Sequence, residues 1–484
     1  MKSLNPSSAI RHKRRLAIWL IMPAIISLHA CGGGGGGSSG GGSGSGGSSS
    51  SSSSSVAATA YVGGNEFLVN TGVELDQTAP RATTLNNGNV VINWVTSLGT
   101  VGSIPLSEIR AQIVTADGIK SGAEIIASSG TAFSNNSHRH IQPSISRLQS
   151  GGFGIVYISN GHITTTPANA ATDGPIFARE FSATGTALTD ASVPPLTYNY
   201  NGQLIGAAGR QRQPQFTTLS DGRLLLSWTE HNLQAMLGGD GDSLSVKAQL
   251  FTADADELSP AFIVNTSTTG QQSTPRVAAL TNGGFVIVWQ DYNGSVSGNL
   301  IIKLRAQIYN STGAKVGSEF LIKDSPGLLQ STPSIAALPN GQFVISWSEA
   351  TATTSTEDEA YAQIFDATGA RIGTIITLAT NTAGRQVAPE ITGLPNGHFV
   401  AIWGDTSGVL GDTDGFGLKG QVFTSAGTRF GSEFLVNTYT SGNQTFPAVT
   451  PLNTNGFLVT WVDLSGTLGD SSGTSIKARI FKLN

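Results

Sequence analysis

The run GFVIVW, residues 284–289, decides the fold, because the same kind of apolar run ending in an aromatic residue recurs along the chain. Its other copies are NVVINW ending at Trp94, GFGIVY at Tyr157, RLLLSW at Trp228, QFVISW at Trp347, HFVAIW at Trp403 and GFLVTW at Trp461. Successive aromatic ends are separated by 63, 71, 61, 58, 56 and 58 residues. This spacing indicates seven copies of one repeat.

Each repeat contains four pieces that have the composition of β-strands, separated by turn residues such as Pro339-Asn340-Gly341. The first piece follows a proline, as in PRVAAL and PSIAAL. The second is the apolar run, whose continuous hydrophobicity is typical of a strand covered on both faces. The third alternates around a small residue, as in LRAQIY and VKAQLF, and the fourth is GSEFLVN or a variant of it.

Four strands in about sixty residues are too few for a sandwich domain and too many for one turn of a solenoid. The repeats therefore predict an all-β protein, a seven-bladed β-propeller with four-stranded blades. Residues 66–70, EFLVN, are a piece of the fourth kind, whereas residues 480–484 directly follow one of the third kind. We expect this N-terminal strand to join the last blade and close the ring.

The first thirty residues are predicted to be an export signal. A basic stretch ending in Lys13-Arg14-Arg15 precedes an apolar run, residues 16–27, that is too short for a permanent membrane span. The following LHAC, residues 28–31, resembles the lipobox of bacterial lipoproteins. That resemblance implies cleavage after residue 30 and a lipid on Cys31, and Gly32 in the next position implies the outer membrane. Which side of that membrane the protein faces stays open.

Residues 31–60 are predicted to connect this lipidated cysteine to the repeats, residues 61–484. Residues 32–55 are exclusively glycine and serine, a composition typical of a flexible tether. Cys31 is the only cysteine, so no disulfide is expected. Five basic residues and no acidic residue precede it, which leaves 22 basic against 31 acidic residues in the mature chain. This acidic excess argues against nucleic-acid binding, and we expect a monomeric head.

The patterns EFxVNT, QxxP, GGFVxxW and RAQxFxxxG resemble repeats of large exported bacterial proteins, some of which carry haemolysin-type calcium-binding segments. The resemblance covers residues 61–484. It implies the type of repeat but no particular activity, because that family has no single function.

One candidate binding feature recurs three residues before the proline of each first piece. Six repeats have a glutamine there and the second has a histidine: Gln77, His140, Gln211, Gln272, Gln330, Gln386 and Gln444. These side chains could form a ring of amides that binds sugar hydroxyls. The favoured alternative is that they are structural and bond to nearby backbone.

The second and third repeats add histidines and arginines to the same predicted face: His138, Arg139, His140, His162, Arg210, Arg212 and His231. Three histidines could hold zinc, and the arginines could form an anion pocket. Surface residues with no shared role are the favoured interpretation.

Acidic loops offer a further candidate site, for calcium. The residues are Asp240, Asp242, Asp412, Asp414 and Asp470. None of these loops matches a complete calcium-binding motif, and solvated turns are the favoured alternative. No cofactor is certain.

Enzyme motifs such as GxSxG, HExxH or a phosphate-binding loop are missing, so the sequence predicts that the protein is not an enzyme. The leading hypothesis is a membrane-anchored binding module of the bacterial cell envelope that recognises a glycan or extracellular polymer. The first alternative is a periplasm-facing scaffold for envelope proteins. The second is a polysaccharide-cleaving enzyme, whose acidic residues sequence alone cannot bring together.

Overall fold

The structure is a computed structural model, and its described residues lie from Tyr61 to Leu483. The described ranges are 61–101, 104–128, 139–160, 174–188, 210–231, 244–296, 299–324, 329–350 and 357–483. The chain divides into a unit of residues 1–55, which lies outside these ranges, and a unit of residues 56–484. All regular structure within the described ranges is β, which confirms the all-β prediction. None of these ranges holds a helix capable of crossing a membrane.

The strands of the described residues fall into seven consecutive groups. Group 1 contains β3 (Gln77–Thr84), β4 (Val90–Val101), β5 (Ile104–Val114) and β6 (Lys120–Ile126). Group 2 contains β7 (Arg139–Arg147), β8 (Phe153–Asn160) and β9 (Ile176–Phe181). Group 3 contains β10 (Arg210–Thr218), β11 (Leu224–His231), β12 (Leu244–Phe251) and β13 (Phe262–Ile263). Group 4 contains β14 (Gln271–Ala279), β15 (Phe285–Val296), β16 (Asn299–Tyr309) and β17 (Lys315–Leu321).

The remaining groups repeat this order. Group 5 contains β18 (Leu329–Ala337), β19 (Phe343–Ala350), β20 (Asp358–Phe365) and β21 (Arg371–Thr377). Group 6 contains β22 (Gln386–Gly393), β23 (Phe399–Asp405), β24 (Gly417–Phe423) and β25 (Arg429–Leu435). Group 7 contains β26 (Gln444–Pro451), β27 (Phe457–Asp463) and β28 (Ser475–Leu483), together with the N-terminal strands β1 (Tyr61–Gly63) and β2 (Phe67–Leu68).

Within each group, consecutive strands pair antiparallel, and the second strand lies between the first and the third. The second strands are buried on both faces, because each group packs against the groups before and after it. The tryptophans that mark the repeats, such as Trp289 and Trp403, are fully buried. Trp403 packs in one cluster with Val344 of the preceding group, so the core is a series of layers between successive groups.

The first strands of the seven groups contact one another in a closed cycle. β3 packs beside β7, and the contacts continue through β10, β14, β18, β22 and β26 back to β3. We call this cycle the central ring. Because every first strand contributes to it, residues at equivalent positions in the repeats meet at one level of the ring.

The N-terminal segment forms the outer edge of group 7. Tyr61 pairs with Leu483, and Phe67 pairs with Ala478, both in antiparallel register with β28. Val69 extends this edge, because its amide donates to the Ile476 carbonyl at 2.8 Å. The two ends of the described chain are therefore joined by backbone hydrogen bonds.

In four of the groups, a glutamate at the outer edge bonds to the preceding group. Each of these glutamates accepts a hydrogen bond from a backbone amide of the preceding group. The pairs are Glu124 with Thr71 (2.6 Å), Glu319 with Thr266 (2.6 Å), Glu433 with Thr380 (2.7 Å) and Glu66 with Thr438 (2.8 Å). Three of these glutamates, Glu66, Glu319 and Glu433, belong to the recurring EF dipeptide of the fourth piece, which thus has a structural role at the periphery.

Candidate binding site in the central ring

Every first strand contains a residue with left-handed backbone directly before its proline. The φ angles are 52° at Ala79, 55° at Gln142, 53° at Gln213, 56° at Thr274, 49° at Thr332, 49° at Ala388 and 51° at Phe446. Residues other than glycine rarely adopt this conformation, and a following proline restricts them further. The pairing register shifts at the same point, as between Ser273 and Arg276, so each first strand contains a β-bulge. A bulge redirects the side chains that follow it.

The residue directly after each of these prolines occupies an equivalent position in the ring. These residues are Arg81, Ser144, Gln215, Arg276, Ser334, Glu390 and Ala448. One level of the ring therefore carries two guanidinium groups, one carboxylate, one amide and two hydroxyls. Residues 81, 276 and 390 were not among the sites expected from the sequence.

The guanidinium of Arg276 lies inside the ring with few protein partners. It donates one long hydrogen bond to the carbonyl of Pro275 (3.4 Å) and forms no ion pair with any described residue. Burial lowers the pKa of Arg276 to about 10; the Glu390 carboxylate acts against this shift, and the Arg81 guanidinium adds to it. The charges of these three side chains, from three different groups, therefore influence one another.

Arg81 and Gln215 are held in the same way as Arg276. Nη1 of Arg81 donates to the Pro80 carbonyl at 2.9 Å, and Nε2 of Gln215 donates to the Pro214 carbonyl at 2.9 Å. Each side chain is thus fixed by the carbonyl of its own preceding proline, and its other N–H groups have no acceptor in the part of the chain that the structure describes. Arg81 forms no ion pair with the described residues.

The two serines at this level connect consecutive first strands. Oγ of Ser144 accepts from the amide of Phe216 at 3.1 Å. Oγ of Ser334 accepts from the amide of Ile391 at 3.2 Å and donates to Oε2 of Glu390 at 2.8 Å. The serines therefore stabilise the ring and fix the Glu390 carboxylate at its wall.

The glutamines singled out in the sequence lie at the start of the first strands, and all six are buried. Their amides contact the protein's own groups. Five of them donate a hydrogen bond from Nε2 to a backbone carbonyl of the segment before the strand. The pairs are Gln77 with Glu74 (3.0 Å), Gln272 with Thr269 (3.0 Å), Gln330 with Lys323 (3.2 Å), Gln386 with Ala383 (3.0 Å) and Gln444 with Ser441 (3.1 Å). Oε1 of Gln211 accepts from the Ile176 amide at 3.2 Å. In this arrangement, these amides stabilise neighbouring loops and strands.

The described residues include only some of the histidine and arginine candidates. His138 and His162 lie outside the described residues. His140 is buried, with its ring 5.3 Å from that of Tyr157. Arg139 starts β7, while Arg210, Gln211 and Arg212 pair in register with His231, Glu230 and Thr229. No group of three potential metal ligands occurs in the described ranges. His138 and His162 lie outside these ranges, so a zinc site that includes them stays a prediction.

The acidic candidates Asp412 and Asp470 are buried, whereas Asp240 and Asp242 lie outside the described residues. Oδ2 of Asp412 accepts from Nδ2 of Asn437 at 2.6 Å, and Oδ2 of Asp470 accepts from Nδ2 of Asn70 at 2.7 Å. Burial raises the pKa of Asp412, and the hydrogen bond from Asn437 opposes that shift.

Asp414 also bonds to backbone, because its Oδ2 accepts from the Gly442 amide at 2.9 Å. The second oxygen of Asp412 accepts from the Asp414 amide at 3.3 Å. These carboxylates therefore fix the loops between second and third strands, with oxygens directed at N–H donors. Calcium binding at these residues stays a prediction.

Comparison with known proteins gives structural likenesses alone. No model of a protein family matches the chain, and no curated protein matches it. A solved protein of unknown function from Dyadobacter fermentans DSM 18053 aligns with 88% of this chain and 100% of its own, at 11% identity and a TM-score of 0.49. A variant of an α-L-arabinofuranosidase from Fusarium graminearum covers 86% and 97%, at 12% identity and 0.46. An ulvan lyase covers 84% and 95%, at 10% identity and 0.47.

The prediction that this chain is not an enzyme is wrong as an exclusion, since its solved neighbours include an arabinofuranosidase and a polysaccharide lyase. The physical reason is that a site can be assembled from side chains on separate strands. A missing contiguous motif therefore excludes only the enzymes that such motifs define. Likenesses of this degree assign neither an activity nor a substrate to this chain.

Proposed function

We propose that this chain is a lipid-anchored binding module of the bacterial cell envelope whose head recognises a glycan or another extracellular polymer. In this proposal, the head is a seven-bladed β-propeller with four-stranded blades, closed by the N-terminal strand. The seven strand groups and the cycle of first strands support that architecture. The pairing of β1 and β2 with β28 supports the closure.

The binding function rests on the polar level of the central ring. Arg81, Gln215 and Arg276 are each fixed by one proline carbonyl and keep further N–H donors. Polymers rich in hydroxyl and carboxyl oxygens accept such hydrogen bonds. A convergent set of donors on separate, rigid strands is typical of a ligand site rather than of a packed interior.

Anchoring and location rest on the sequence. The lipobox supports a lipid on Cys31, Gly32 supports the outer membrane, and the glycine-serine segment supports a head that can reach away from the membrane. Protease treatment of intact cells tests the orientation. Cleavage of the head indicates the outer surface, whereas a protected head indicates the periplasm and favours the scaffold hypothesis.

The test of binding is a glycan and polysaccharide array probed with the full-length chain in detergent, once with calcium and once with a chelator. Reproducible hits that the double variant Arg81→Gln/Arg276→Gln loses support the proposal. Hits that chelation removes add a role for calcium. A blank array under both conditions contradicts the proposal and directs attention to protein partners in the envelope, which cross-linking identifies.

Cleavage of a bound polysaccharide is the second candidate function. Glu390 places a carboxylate at the level of Arg81 and Arg276, where it could transfer a proton while a guanidinium stabilises developing negative charge. Incubation of the chain with each polysaccharide that it binds, followed by an assay for new reducing ends or unsaturated products, tests this function. Product that Glu390→Gln abolishes supports cleavage, and binding without product contradicts it.

A further inference from the structure

We infer that the ligand of the central ring is acidic, and that Arg81 and Arg276 bind a carboxylate or a sulfate ester carried on its sugars. This inference rests on the proposed binding function and adds the charge of the ligand to it. It depends on how these two arginines differ from the other arginines of the chain.

Arg110 and Arg305 have acidic partners in their own group, whereas Arg479 forms no ion pair with a described residue but donates to four backbone carbonyls. Arg110 contacts Glu108 at 2.6 Å and Glu124, and Arg305 contacts Asp291 at 2.6 Å and Glu319 at 3.1 Å. In contrast, neither Arg81 nor Arg276 forms an ion pair with a described residue, and each donates a single hydrogen bond to a carbonyl. A guanidinium has five N–H donors in a planar fork, so at both positions most of these donors have no acceptor among the described residues.

The charges at this level leave an excess of one positive unit. Arg81 and Arg276 contribute two, and Glu390 contributes one negative charge that Ser334 fixes at the wall of the ring. Positive charge that is enclosed by protein and lacks a counter-ion is unfavourable, whereas an anionic ligand would compensate it. The guanidinium fork matches the paired oxygens of a carboxylate or sulfate group.

A cavity at one end of the ring gives room for the neighbouring parts of a polymer. The turns that follow the first strands of groups 1 to 4 line a concave space of about 290 Å³. Its lining includes Asn86, Arg147, Gln149, Thr218 and Thr281, which carry amide, guanidinium and hydroxyl groups. Four consecutive groups contribute to it, so the cavity lies where their first strands leave the ring.

The experiment uses two matched pairs of probes with the full-length chain in detergent. The first pair is a hexamer of galacturonic acid and its methyl ester, and the second is dextran sulfate and dextran. Binding is measured by calorimetry at two salt concentrations. We expect the acidic member of at least one pair to bind at least about ten-fold more tightly than its neutral partner, because one charged bidentate contact contributes on the order of a ten-fold change. The pair that discriminates identifies carboxylate or sulfate.

Arg276→Gln should remove this preference, because it should lower the affinity for the acidic probe at least about ten-fold more than the affinity for its neutral partner. Arg371→Gln is the matched control, because its guanidinium bonds to backbone carbonyls at the outer edge, far from the ring in the repeat, and removes the same charge. Thermal melting separates folding from binding: Arg276→Gln should melt no lower than the wild type, since it loses an uncompensated cation.

Three results overturn the inference. Equal binding of acidic and neutral probes would do so while leaving the proposed binding function intact, as would acid-selective binding that survives Arg276→Gln. Failure of both acidic probes to bind would also overturn it, and the array then decides whether a neutral glycan still supports the proposed function.

Discussion

Glu66 contacts two segments that lie far from it in sequence, so its replacement by alanine tests how the N-terminal segment is held. Oε1 lies 3.4 Å from Nζ of Lys477, which is fully buried. Oε2 accepts from the amide and from the hydroxyl of Thr438, both at 2.8 Å. Asp463 provides a second carboxylate for the ammonium group at 2.8 Å.

The size of the effect follows from the partners that are left behind. Removing one member of a buried ion pair costs about 3–5 kcal/mol. Lys477 keeps Asp463 as a partner, and the amide of the exposed residue Thr438 can bond to water. We therefore expect the free energy of unfolding to fall by about 3 kcal/mol, the lower end of this range. An unfolding entropy of about 2.1 cal/mol/K per residue over the roughly 420 residues of the head gives about 0.9 kcal/mol/K. The expected loss in melting temperature of Glu66→Ala is therefore about 3 °C.

The assay is thermal and urea unfolding of the full-length chain, with two comparison variants. Asp324→Asn removes a carboxylate that pairs with Lys303 on the surface, and its unfolding midpoint should not change. The double variant Glu66→Met/Lys477→Met also removes the cation that pairs with the buried Asp463, so it should be less stable than Glu66→Ala. If Glu66→Ala melts with the wild type, or if the double variant is at least as stable as Glu66→Ala, the ion-pair reasoning is refuted.

Four further outcomes are expected. Deletion of residues 56–72 should sharply lower the melting temperature, because it removes β1 and β2 from group 7; unchanged melting would contradict the closure. Gln444→Ala should lower stability in urea by about 2 kcal/mol, because it leaves an amide and carbonyls unpaired, while ligand affinity stays the same. Burial raises the pKa of Glu230, so its ionised carboxylate destabilises the folded state above that pKa. Protonation removes this destabilisation as the pH falls through the pKa. The rise in the urea midpoint from about pH 7 to about pH 5 should therefore be smaller in Glu230→Gln than in the wild type. Ala388→Gly should raise stability by about 1 kcal/mol in the same titration, because glycine accepts the φ of 49° without strain.

The all-β fold could be predicted because its main signal is local and repeated. A strand covered on both faces needs a continuous apolar run, and such a run ends at each of the repeated aromatic residues from Trp94 to Trp461. The pairing partners of the N-terminal segment were predictable for the same reason, since EFLVN at residues 66–70 has the composition of an outer strand. The contacts of Glu66 with Lys477 and Thr438 were not, because they depend on how separate groups are positioned in space.

The direction of a polar side chain is harder to predict than its level in the fold. Gln77 and Gln444 occupy equivalent positions in the sequence repeat, but whether their amides contact solvent or backbone is decided by the carbonyls of the preceding loop. The left-handed backbone of Thr274 and Ala388 had no signal of its own, because neither residue favours that conformation. The bulge that redirects Arg276 is therefore a product of the assembled ring.

Recurrence within the chain separates the residues that hold the fold from those that differ between repeats. The outer-strand glutamate recurs as Glu66, Glu319 and Glu433, and each copy bonds to the preceding group in the same way. A requirement shared by several repeats selects the same residue at each of these copies. The position after the first-strand proline has the opposite property, since its backbone conformation recurs while its side chain varies from Arg276 to Glu390. Because the repeated geometry brings these unlike side chains to one level, that level can be asymmetric in charge although the surrounding strands are not. An asymmetric polymer needs that property in its binding site, and a ring of identical residues would lack it.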